Sequence, residues 1–112
     1  MHKNNKHSED YNFKVLVSNS PKLADYVFES KFGKDTIDFA NPKAVKCLNT
    51  ALLKTHYSIK YWEFPDENLC PPIPGRVEYI HLLNDVLKTS GLQHNPVILD
   101  IGTGASCIYP LL

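Results

Sequence analysis

The sequence predicts an α/β chain, mainly helical over its first 95 residues and turning to sheet structure only at its end. Two observations carry this. Apolar periodicity led by proline recurs at "ANPKAVKCLNTALLKTHY" and at "RVEYIHLLNDVLKT", and each stretch reads as a helix. The last sixteen residues, "VILDIGTGASCIYPLL", join a short apolar run to an acid and two glycines, the pattern of a buried strand entering a tight turn. At 112 residues, with 43% hydrophobic and 21% charged residues, the chain can bury one core and not two.

Three segments follow in order: 1–10, 11–95 and 96–112. Residues 1–10, "MHKNNKHSED", are polar with nothing to bury, so alone they are expected to be a disordered basic arm. Lys3, Lys6 and His7 would let such an arm order on a polyanionic partner. Ser20-Pro21 reads as a cap and first turn, opening a short helix to about Glu29 with Leu23, Val27 and Phe28 buried. Gly33 breaks the chain, and Thr36 to Phe39 alternates like a strand. Asn41 caps the clearest helix, Pro42 supplies its first turn, and Val45, Leu48 and Leu52 form its apolar stripe. On another face Lys43, Lys46, Thr50 and Lys54 line up, either as a solvated face or as a surface for RNA.

Tyr57 to Phe64, aromatic and β-branched, reads as extended and ends at Pro65. "CPPIPG" then places three prolines in five residues, a stiff spacer that reads as neither helix nor central strand. It fixes where the next helix begins, from about Arg76 to Thr89. Tyr79, Ile80, Leu82, Leu83, Val86 and Leu87 are its expected buried side. Glu78, His81, Asp85 and Lys88 are its polar stripe, and Gly91 closes it. "VILD" lacks alternation, which suits a strand covered on both faces.

Net charge is zero, but residues 1–60 hold ten lysines against six acids, while residues 61–112 hold Arg76 and Lys88 against six. The basic half could face nucleic acid, whose phosphates are met by Lys and Arg. Cys47, Cys70 and Cys107 are odd in number and far apart, as expected for reduced thiols in a cytoplasmic protein. The five histidines form no metal-ligand grouping, so no metal is expected. No signal peptide and no run of 18 apolar residues occur, so no membrane partner is expected.

The turn itself carries chemistry. Glycines let the backbone turn tightly and let a ligand approach where a Cβ would intrude. A dinucleotide fingerprint would place Gly or Ala three residues after Gly104, where Cys107 stands, which counts against NAD or FAD. Asp100 before the turn would repel a pyrophosphate but suits a ligand carrying an ammonium group. An ordinary strand-to-helix turn remains the alternative at this point.

Three longer blocks add to this: "DFANPKAVKCLNTALL", "LCPPIPGRVEYIHLL" and "LDIGTGASCIYPLL". Together they resemble the RlmF family of adenine-N6 methyltransferases acting on 23S ribosomal RNA, over about residues 11–112. The resemblance implies a helical cap region ahead of the first strand and turn of a Rossmann-like class I methyltransferase sheet. It also implies S-adenosyl-L-methionine as cofactor. It assigns Asp100, Gly102, Thr103 and Gly104 to the cofactor-binding turn, and Arg76 to the methionine carboxylate of the cofactor. Arg76 is the only arginine in the chain, and a planar fork serves a carboxylate as Lys cannot. RNA contacts are expected from Lys3, Lys6, His7, Lys43 and Lys46, although relatives carry arginines where the arm has Asn and Lys.

The family's catalytic Asn-Pro-Pro-Phe block is absent from residues 1–112. No catalytic residue is therefore expected in this chain, which reads as the N-terminal part of a longer enzyme and as inactive alone. Self-association through the apolar strand is expected of such a part. The alternative is a stand-alone RNA-binding module without catalytic activity.

Overall fold

A computed structural model of the chain describes residues 1–91, 96–101, 104 and 111. Its elements are helix α1 (Phe13–Asn19), a 3-10 turn (Pro21–Asp25), strands β1 (Phe28–Glu29) and β2 (Asp35–Thr36), and helices α2 (Pro42–Tyr57) and α3 (Ile73–Thr89). The core lies among α1, α2 and the start of α3. Phe13 and Leu16 meet Leu23, Ile37, Leu48, Leu52 and Leu53, and Ile73 and Val77 close the far side. Each fully covered Leu contributes about 1.5–3 kcal/mol by leaving water.

Helix α2 forms as its sequence dictates. The Asn41 side chain accepts the Lys43 amide at 3.1 Å, and Pro42 occupies the first turn. Ala44, Leu48, Ala51 and Leu52 are buried on one face. Ser58 takes a left-handed conformation (φ 56°), and the amides of Ser58 and Ile59 both return to the Leu53 carbonyl.

Before α2 the sequence reading needs correction. Residues 13–19 form a helix that it did not assign, capped by the Asn12 side chain on the Val15 amide at 3.3 Å. The helix expected from Pro21 to Glu29 stops at Asp25 as a 3-10 turn, and Phe28 pairs as a strand with Thr36. Gly33, at φ 76°, turns this hairpin, and its amide bonds the Ser30 carbonyl at 2.9 Å. Phe28 is half-exposed because a two-stranded ribbon has no second layer over it.

Helix α3 starts at Ile73 rather than Arg76. Pro74 sits in its first turn, where a missing N–H removes no helical bond. Pro72, the cap residue, offers no side-chain acceptor, and Asn49 of α2 supplies one instead: its Oδ1 accepts the Ile73 amide at 3.0 Å. The expected buried face of α3 is another correction. Tyr79, Leu82 and Val86 are 50–60% exposed, because only the first turns of α3 reach the core.

The arm is ordered. Residues 2–7 lie against α3 and the end of α2. Glu78 accepts the His2 amide at 2.7 and 2.9 Å and the Asn5 side-chain amide at 2.9 Å. The His2 ring bonds Asp85 at 2.6 Å and stacks on His81 with centroids 5.0 Å apart. Composition predicted disorder because it counts apolar area, whereas this arm is held by hydrogen bonds to the polar stripe of α3.

Val97–Asp100, expected to form a strand, pair with no strand among the described residues. Val97, Leu99 and Ile101 are more than 80% exposed. A strand exists only where a neighbouring strand pairs its backbone, and the described residues set none beside this segment.

Candidate functional site

Arg76 lies in the first turn of α3, and its backbone amide bonds the Pro72 carbonyl at 3.0 Å. Two contacts fix this turn from outside the helix. Asn49 holds Ile73 from below, and Asn5 of the arm donates to the Pro74 carbonyl at 3.2 Å. The guanidinium is half-buried and forms no hydrogen bond or ion pair among the described residues. Glu78, two positions on, faces the arm and not Arg76, since residues two apart on a helix diverge. Hydrogen bonds from Asn5, then from the His2 amide, hold its carboxyl below the usual range. The sequence thus builds a fork-shaped cation on a braced helix start, with no partner for it among the described residues.

Asp100 is half-buried, and Gly104 has φ 50° with open space where a Cβ would stand. A side chain there would be strained by the backbone alone. Gly102 and Thr103, the other two turn residues, lie outside the described residues. No ion pair joins Arg76 to Asp100 among the described residues.

The five expected RNA contacts divide. Lys3 and Lys43 are exposed, and neither side chain has a partner among the described residues. Lys46 is held by neighbouring residues at the surface. It pairs with Glu63, donates to the Phe64 carbonyl at 3.2 Å, and stands 4.6 Å from the Phe64 ring centroid. The Glu63 hydrogen bond, above the opposing effect of burial, raises its pKa. Its work is to tie residues 63–66 onto α2.

Lys6 donates to the His56 carbonyl at 3.2 Å and lies over the Tyr57 ring. His7 is 8% exposed with its Nε2 at 2.8 Å from the Tyr57 hydroxyl. Burial, then the nearby His56 and Lys6, push its pKa down to about 4, so its ring is neutral near pH 7. These two arm residues are used for docking the arm. The sequence reading missed Asn49, which props up the Arg76 turn. The available signal was a polar residue beside the apolar stripe of Leu48 and Leu52.

A protein family described as RNA methyltransferase matches residues 1–112. The ribosomal RNA large subunit methyltransferase F of Colwellia psychrerythraea is 53% identical over all of this chain and 39% of its own length. That of Christiangramia forsetii is 50% identical, again over all of this chain and 39% of its own. The chain therefore spans about two fifths of these relatives. Among solved structures, the N-terminal domain of human METTL16 in complex with SAH superposes with TM-score 0.82 at 33% identity. It covers 99% of this chain and 44% of that one. The human METTL16 catalytic domain in complex with a MAT2A 3′UTR hairpin gives TM-score 0.82 at 35% identity, over 99% of this chain and 37% of that one. Matched from its first residue to its last, the chain belongs to the RNA methyltransferase family, alongside the RlmF relatives.

Proposed function

We propose that this chain is part of an S-adenosyl-L-methionine-dependent enzyme that methylates N6 of an adenine in 23S rRNA in the cytoplasm. The observation that carries the reading is Arg76: the only arginine of the sequence, braced by Asn49 and the arm, with a guanidinium that has no partner among the described residues. The residues fit such a cofactor. Arg76 would take its carboxylate through a bidentate pair, and the Asp100–Gly104 turn, with Gly102 and Thr103, would back onto its amino-acid end. The cofactor, when bound, supplies the electrophilic methyl group. The chain's residues hold and orient, which is the larger part of catalysis when two reactants must be aligned. The methyltransferase F relatives, named for ribosomal RNA, and the METTL16 structure holding SAH support the substrate and cofactor. Lys3 and Lys43 support an RNA-facing side.

The reading assigns no catalytic residue to residues 1–112 and no methyl transfer to this chain alone. The test uses the full-length enzyme, 23S rRNA and labelled cofactor, with the RNA digested to nucleosides. Label in N6-methyladenosine is expected, and label elsewhere overturns the reading. Salt-dependent RNA binding by the 112-residue chain, with no cofactor binding in calorimetry, would favour the stand-alone RNA-binding alternative.

A further inference from the structure

Helix α3 begins weakly by its own sequence. Its cap residue, Pro72, carries no side-chain acceptor, and Pro74 has no amide hydrogen. Gly75 disfavours a helical turn, because glycine gives up the most backbone freedom on folding. Arg76 follows directly. A cation that must meet a ligand in one place therefore sits on a turn that needs holding from outside.

Asn5 of the arm holds it on one side. Its Nδ2 carries two hydrogens, and both are used on α3. One goes to the Pro74 carbonyl at 3.2 Å, the other to Glu78 Oε2 at 2.9 Å. Pro74 and Glu78 are four residues apart, so they lie one above the other on a single helix face. Arg76 stands between them in sequence and about 200° round the helix, at about 100° per residue. One side-chain amide thus bridges the turn from behind Arg76. Asn5 is itself fixed. It is 2% exposed, its Oδ1 accepts the His7 amide at 2.9 Å, and its carbonyl accepts the Ser8 amide at 3.3 Å.

We infer that Asn5 is a positioning residue for the amino-acid end of the cofactor. By clamping the turn from Pro74 to Glu78 it aims the Arg76 fork, so docking of the arm and binding of a carboxylate at Arg76 favour each other. The inference rests on the reading of Arg76 given above and adds the arm to it. Such coupling is reciprocal: a ligand at Arg76 holds the arm down by the factor that the arm adds to that ligand's affinity.

The test is calorimetry on the full-length enzyme without RNA. Two ligands are compared: S-adenosyl-L-homocysteine, and 5′-methylthioadenosine, the same nucleoside thioether without the amino-acid end. Asn5→Ala should weaken the first about threefold to tenfold and change the second by less than about twofold. Equal losses for both ligands, as a merely structural role would give, or no loss for either, overturn the inference. Adding Asn5→Ala to Arg76→Ala should cost no further affinity for S-adenosyl-L-homocysteine, because the clamp then has no fork to aim. Additive losses overturn it. Should Asn5→Ala fail to fold, the wild-type enzyme decides. Amide exchange over residues 2–7 should slow with S-adenosyl-L-homocysteine and not with 5′-methylthioadenosine, and equal slowing by both overturns the inference. Arg76→Ala that keeps wild-type affinity for S-adenosyl-L-homocysteine would sink the reading of Arg76 itself. Arg76→Ala weakened about tenfold or more, beside an unaltered Asn5→Ala, would sink the role of Asn5 alone.

Discussion

Asn49 of α2 caps a helix to which it does not belong: its Oδ1 accepts the Ile73 amide of α3 at 3.0 Å. Its Nδ2 returns to the Val45 carbonyl at 2.9 Å, so both ends of a 4% exposed amide are used. The contact joins the best-formed helix to the turn carrying Arg76. Asn49→Leu strands a buried amide with no acceptor and should lower unfolding stability by about 1–3 kcal/mol. Urea unfolding of the chain measures it, and an unchanged midpoint would mean that Ile73 needs no cap.

Leu52 is 1% exposed at the centre of the core. Leu52→Ala should cost about 2–5 kcal/mol, through lost burial and the void left behind. Val86→Ala, at a 60% exposed position of α3, should change the same midpoint by less than about 0.5 kcal/mol.

His7 gives the arm a pH dependence of definite sign. Its folded pKa of about 4 lies below the unfolded 6.5, so the unfolded chain binds the extra proton between these values. Stability is therefore full above pH 6.5 and falls as the pH drops toward 4. His56, lowered in the same direction, adds to the slope. In His7→Phe the slope should flatten, as read by thermal melts across pH 4–7.

The lysines of α2 should separate in an RNA-binding assay with the full-length enzyme. Lys43→Gln is expected to reduce the slope of log affinity against log salt by about 0.7–0.9, the contribution of one phosphate contact. Lys46→Gln should leave that slope alone and loosen residues 63–66, seen as faster amide exchange there. A salt slope moved equally by both would contradict the engagement of Lys46 by Glu63 and Asp66.

Val97, Leu99 and Ile101 expose an apolar row. The 112-residue chain should sediment as oligomers that Leu99→Lys converts to monomer. A monomeric wild-type chain would dismiss association through this segment.

How far the sequence could be read depended on the range of each interaction. Asn41 and Pro42 announce α2 because capping is local, three residues wide. Helix α3 starts three residues ahead of the sequence expectation because proline, a breaker inside a helix, is at home in a first turn. The exposed face of α3 was misjudged for another reason: periodicity shows which face is apolar, not what covers it. The docked arm depends on pairs such as Asn5 with Glu78, 73 positions apart, which no local pattern encodes. Arg76 was picked out by family words, and the braces that hold it only emerge in three dimensions.

The arm also sets an order of events in time. His2 and Asn5 are made ahead of their acceptor, Glu78, which follows more than seventy residues later. At about 5–20 residues per second that is a wait on the order of ten seconds. Through it this segment is without the partner that holds it in the folded chain. Only when the third helix emerges does the beginning of the chain become shut against its later part.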